Sequence, residues 1–182
     1  PETFQILDSQ DQLSALKRLM RANNIDEENF PPREVQYFIN NYKEQGFRSK
    51  DVKTYDAHTE KINEIYFYYE TQCQKEGVVD FAELLLRCYE LFKKNSHILA
   101  HYQDRFKHIL IDEFQDTSEL QYRWIKLIVG KSNSVFAVGD DDQSIYSFRG
   151  AKVSNMKDLQ KDFAIKKVIK LEQNYRSKNN IL

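Results

Sequence analysis

The sequence predicts an α/β fold: a parallel sheet with a mainly helical domain ahead of it. Two observations carry this. The first is His108-Ile109-Leu110-Ile111-Asp112-Glu113-Phe114-Gln115-Asp116-Thr117, where three β-favouring apolar residues run straight into two adjacent carboxylates. The second is a change of period. Residues 1–106 show almost wholly helical spacing, whereas after Thr117 apolar β-type runs alternate with helical stretches. Such alternation builds a parallel sheet. Short apolar runs of this kind are expected to be buried on both faces. A strand so buried should not carry Asp and Glu, so the pair is placed at its carboxyl end. In open α/β sheets that edge is where ligands bind.

Composition narrows the class. Hydrophobic residues at 41% and charged residues at 30% allow a real core and argue against disorder. With 27 basic and 28 acidic residues there is no global basic field, so any nucleic-acid binding must rest on a local patch. Cys73 and Cys88 lack metal-ligand spacing and read as reduced thiols of a cytoplasmic protein. No apolar run approaches the ~20 residues of a membrane span, and no signal-peptide pattern opens the chain. It starts at Pro1 without Met and ends at Leu182 in mid-pattern, which reads as a piece of something longer.

Taken in order, Asp8 or Ser9 can cap a helix bearing Leu13, Leu16, Met20 and Ile25 on one side. Pro31-Pro32 breaks the chain, and Pro32 suits the first turn of the next helix, with Val35, Phe38, Ile39 and Tyr42 at helical spacing and Gly46 as its stop. Residues 47–57 read as a polar loop. A third helix from about Thr59 carries Ile62, Ile65, Tyr66, Tyr69 and Cys73 and ends at Gly77. Tyr66-Phe67-Tyr68-Tyr69 could stack on nucleic-acid bases, but four consecutive helical positions cannot face one ligand, which favours packing. Asp80-Phe81-Ala82-Glu83 is a capping arrangement before Leu84, Leu85, Leu86, Tyr89 and Phe92. A short helix near Ile98–Tyr102 leads to the central strand. His58, His97, His101 and His108 have no partner at ligand spacing and read as surface or capping residues.

Ser118 can cap a helix with Leu120, Trp124, Leu127 and Ile128. Residues 134–139 form a second strand, followed by Asp140-Asp141-Asp142-Gln143. A helix near Asn155–Asp162 and a third strand, Lys167–Leu171, complete the pattern, so that three strands would each deliver polar residues at their carboxyl ends.

The chemistry follows from residue types. An Asp at the first strand end can hold a hydrated Mg²⁺, and its Glu neighbour can draw a proton from water; the plain alternative is a solvated acidic helix start. Gln143 could contact a terminal phosphate or orient water. Tyr146, Phe148 and Arg149 set two rings and a guanidinium within four residues, which suits stacking on unpaired bases, although these residues read alone favour a turn with two buried rings. Arg176 could neutralise a transferring phosphoryl group and Tyr175 could stack on a base; a surface Arg and a packed Tyr are the alternative.

Together and in this order, the three stretches resemble the UvrD/Rep/PcrA family of superfamily 1 DNA helicases. Asp112–Thr117 looks like motif II, Gly139–Ala151 like motif III and Leu171–Ser177 like motif IV. Gly77–Leu85 and a helical lead at Phe4–Asp8 extend the likeness over nearly the whole chain. The resemblance implies a partial RecA-like (P-loop NTPase) sheet, with 1–106 a helical accessory domain, 107–172 the rest of the first motor domain and 173–182 the start of the second. It implies ATP and Mg²⁺, with Asp112 on the metal and Glu113 as general base. It links Gln143 to the terminal phosphate, stacks Tyr175 on adenine and makes Arg176 the arginine finger. Tyr146, Phe148 and Arg149 would contact single-stranded DNA, and the parent would move 3′→5′ and unwind duplex at single–double strand junctions in repair or replication, with repair proteins as partners. Two departures stand out. Ser147-Phe148 replaces the usual Gly-Trp, and none of the five glycines lies in a Gly-x-x-x-x-Gly-Lys-Ser/Thr loop. The chain alone is therefore expected to be inactive, with a weakly stable, swapped or self-paired α/β half. A helical module binding DNA or protein, and a metal nuclease built on Asp112, Glu113 and Asp140–Asp142, are the other classes considered.

Overall fold

The computed structural model describes residues 3–131, 133–140, 154–173 and 175, the side chains of 154–157 excepted. The chain is mixed α/β with two short parallel sheets. The first pairs β1 (Gln5–Leu7) with β2 (Val78–Asp80), in the register Gln5 to Val78 and Leu7 to Asp80. Between them run α1 (Ser9–Ala22), α2 (Pro32–Glu44), a 3₁₀ turn at Ser49–Asp51 and α3 (Ala57–Glu76). After β2 come α4 (Phe81–Lys94) and α5 (Ser96–Arg105). The second sheet pairs β3 (His108–Ile111) with β4 (Ser134–Ala137), joined through a 3₁₀ turn at Phe114–Asp116 and α6 (Glu119–Ile128); α7 (Ser154–Asp162) follows.

Local chemistry sets the helix ends. Asp8 accepts from the backbone N–H groups of Gln10 and Asp11, Asp56 from Thr59, Asp80 from Glu83, and Ser118 forms a capping box with Gln121. Gly77 ends α3 at φ +68°, a left-handed conformation that a Cβ would penalise.

The helical core gathers Leu16 and Met20 from α1, Val35 and Ile39 from α2, and Ile62, Ile65, Tyr66, Tyr69 and Cys73 from α3. Tyr66 and Tyr69 are thus core residues, while Phe67 lies exposed, so the four aromatics do not form one stacking face. A buried ionic network runs through this core. Lys43, 1% exposed, places Nζ 2.7 Å from Asp80 and 2.9 Å from Glu83. Arg48 reaches Glu83 at 2.8 Å, Glu70 at 3.1 Å and Glu90 at 2.8 Å. Asp80 also accepts from the Tyr69 hydroxyl and caps α4 through the Glu83 N–H. A single carboxylate therefore joins α2, α3, β2 and α4, where unpaired burial would be costly.

A second cluster, Phe114, Tyr122, Ile125 and Leu159, lies under the β3–β4 sheet. Contacts cross position 106: Trp124 stacks near Phe92 and donates to the Cys88 sulfur, and Arg123 donates to the Gln45 carbonyl.

Three expectations are corrected. Phe4–Asp8 is no helical lead, because residues 5–7 pair with β2. The β3 and β4 strands are not buried on both faces: they alternate, with Leu110 75% and Phe136 59% exposed, because α6 and α7 cover only one side among the described residues. Lys167–Leu171 forms no strand. It meets no neighbouring ladder among the described residues, and β-propensity without a partner does not make one.

Candidate active site at the sheet edge

The carboxyl ends of β3 and β4 are laced together. The Val138 N–H donates to the Ile111 carbonyl at 2.8 Å, and the Phe114 N–H donates back to the Val138 carbonyl at 3.0 Å. Phe114 is fully buried and anchors the turn from beneath, packing edge-on against Tyr122 at 5.9 Å. Above this plug Asp112 and Glu113 stand exposed at the edge, as the apolar-to-acidic switch in the sequence requires.

Glu113 holds an uncommon backbone conformation, φ +49° and ψ +44°. For a residue with a Cβ this left-handed region costs on the order of 1–2 kcal/mol. The surroundings hold it there. Its N–H donates to the Asp112 carboxylate at 3.0 Å, and its own carboxylate accepts from the Gln115 amide at 2.7 Å. Gln115 is 2% exposed, and its amide oxygen accepts from the Asp140 N–H at 3.0 Å, so one buried side chain spans both strand ends. Thr117 closes the turn by donating to the Phe114 carbonyl at 2.7 Å. One Asp116 carboxylate oxygen is buried with no hydrogen-bond partner among the described residues.

The two sequence-predicted edge residues, Asp112 and Glu113, are thus brought together at the expected place. Tyr175 is 86% exposed, and its hydroxyl donates to Gln173 at 2.9 Å. Gln143, Tyr146, Phe148, Arg149 and Arg176 lie outside the described residues, as do Asp141 and Asp142. Sequence reasoning missed Gln115. Its only local signal is a Gln two residues beyond the Glu, and its second partner comes from the other strand. The four histidines are exposed, and no group of three or more His, Cys, Asp or Glu among the described residues is set to hold a metal.

Residues 1–164 match the UvrD/REP helicase N-terminal domain, and the chain belongs to that family. Along its whole length it is 52% identical to DNA helicase II of Haemophilus influenzae and 50% identical to DNA helicase II of Escherichia coli, covering 25% of each of those proteins. It is 37% identical over 98% of its length to the ATP-dependent DNA helicase PcrA of Staphylococcus epidermidis, again covering 25% of that protein. The chain therefore spans about a quarter of the length of these relatives.

Proposed function

We propose that this chain is part of an ATP-dependent DNA helicase that translocates 3′→5′ on single-stranded DNA and unwinds duplex at single–double strand junctions during repair or replication. The observation that carries the reading is Glu113, held at the sheet edge in a strained backbone beside Asp112, in a chain half identical throughout to proteins named DNA helicase II. The stretch 107–172 is read as part of a RecA-like (P-loop NTPase) motor domain, 1–106 as its helical accessory domain and 173–182 as the start of a second motor domain. The direction of travel rests on the family resemblance.

The donor set suits Mg²⁺, which typically takes one or two carboxylates plus substrate phosphates rather than an all-protein cage. Asp112 offers one exposed carboxylate and would hold the ion, whose charge offsets that of the phosphates. Glu113 accepts the proton of the attacking water; its carboxylate is exposed for this and oriented by Gln115. Gln143 reads the terminal phosphate, Tyr175 stacks on the adenine of ATP, and Arg176 neutralises the transferring group. Tyr146, Phe148 and Arg149 hold single-stranded DNA. The chain by itself, which contains no Gly-x-x-x-x-Gly-Lys-Ser/Thr sequence, turns over no ATP. The protein works in the cytoplasm with repair proteins as partners.

The test is DNA-stimulated ATP turnover by the longer protein that carries these residues. Glu113→Gln is expected to lower kcat by roughly 10²–10⁴-fold with ATP still bound. Unchanged turnover would remove Glu113 from the role of base and the reading with it.

A further inference from the structure

Gln115 touches no reacting group, yet it is the buried side chain that bridges both strand ends. Its geometry leaves no choice of amide orientation. The Asp140 N–H can only donate, so the amide oxygen must face it, as it does at 3.0 Å. The amide nitrogen is then committed to the other side, where the Glu113 carboxylate accepts at 2.7 Å. A side chain 2% exposed and bonded at both ends has few rotamers open to it. Glu113 itself is exposed, and no other hydrogen bond to its carboxylate is seen among the described residues.

We propose that Gln115 is a positioning residue for hydrolysis: its amide aims the Glu113 carboxylate at the water and sets that aim by the start of the segment after β4. The consequence is mechanical as well as chemical. The segment that opens at Asp140 runs on to Gln143, Tyr146 and Arg149. A shift of its first residue is passed through one rigid amide to the base. This rests on Glu113 being the base.

Two substitutions separate aiming from mere support. Gln115→Glu keeps the shape and keeps an acceptor for the Asp140 N–H, but turns a carboxylate toward Glu113. Gln115→Met keeps the length and loses both bonds. In the full-length protein, both are expected to lower DNA-stimulated kcat by about 10–100-fold, the range seen when groups orienting a reactive ligand are lost, with KM for ATP and single-stranded DNA affinity within about twofold. Glu113→Gln, measured alone, should lower turnover by roughly 10²–10⁴-fold and leave a residual rate that can be compared. In the Glu113→Gln background, Gln115→Met should cost nothing further, because a group acting only through Glu113 has nothing left to aim. If Gln115→Glu turns over like wild type while Gln115→Met does not, the amide is only a strut between strands and the proposal falls. It falls equally if both variants melt out, or if the double variant loses activity beyond Glu113→Gln. If Glu113→Gln alone stays active, the functional reading fails rather than this one.

Discussion

Lys43→Met removes one ammonium from between two buried carboxylates while nearly keeping the side-chain volume. The lysine side chain is 2% exposed, with Asp80 at 2.7 Å and Glu83 at 2.9 Å, themselves 4% and 5% exposed. Breaking a buried pair by deleting one partner typically costs about 3–5 kcal/mol, because the survivor stays desolvated. Asp80 keeps the Tyr69 hydroxyl and the Glu83 N–H, and Glu83 keeps Arg48 and Arg87, so the lower end, about 3 kcal/mol, is expected. At about 2–4 °C per kcal/mol for a chain of this size, Tm should fall by about 6–12 °C. Urea unfolding followed by circular dichroism should show a lower midpoint at unchanged slope. Acid titration supplies a second signature. Burial alone would raise the Glu83 carboxyl, but Lys43 and Arg48 outweigh it and bring it down to about 2. A carboxyl lowered from the ordinary 4.5 contributes stability that is fully present above that pH and is lost as pH falls from 4.5 through 2. At about 1.4 kcal/mol per tenfold this amounts to about 3 kcal/mol. Lys43→Met should shrink that acid-dependent part, since Glu83 would then sit higher. An unfolding free energy within about 1 kcal/mol of wild type at pH 7, together with an unchanged acid slope, would refute the network's role.

The remaining predictions concern packing and backbone. Leu16→Ala, at a fully buried position, should cost about 2–5 kcal/mol in the same urea assay, whereas Leu110→Ala, at a position 75% exposed, should cost under about 1 kcal/mol; equal losses would mean that the outer face of β3 is covered in solution. Gly77→Ala should cost about 1 kcal/mol through its φ of +68°, read as a lowered Tm, and a neutral outcome would mean that the turn relaxes freely.

Much of the helical part was legible because its signals are local. Asp8, Asp80 and Ser118 cap the helices they were expected to cap, and Leu16, Met20, Ile62, Ile65 and Tyr69 fall on the buried faces their spacing indicated. What escaped depends on distant partners. Gln5-Ile6-Leu7 is too short to announce a strand, and becomes one only because Val78–Asp80 accepts it. Lys43 sits on the inner face of α2 beside Val35 and Ile39, a place no lysine would be assigned without the carboxylates of Asp80 and Glu83. Lys167–Leu171 failed in the opposite direction, as apolar residues with β-propensity and no ladder to join. At the site, Asp112 and Glu113 could be placed because a strand must shed its charges at an end. Gln115 could not, because its meaning lies in Asp140, across the sheet.

The pairing of Gln5 with Val78 means that α1, α2 and α3 form an excursion which leaves and re-enters through one two-stranded stem. A pull on that excursion loads two filaments side by side, in shear along their shared hydrogen bonds, rather than flexing a lone tether. Whatever the three helices grip, the strain arrives at Asp80, where the stem ends, α4 begins and the buried lysine is bound. The ion pairs from Lys43 and Arg48 to Glu83 bind the excursion to α4 as well, so a load on it is shared between the stem and that helix.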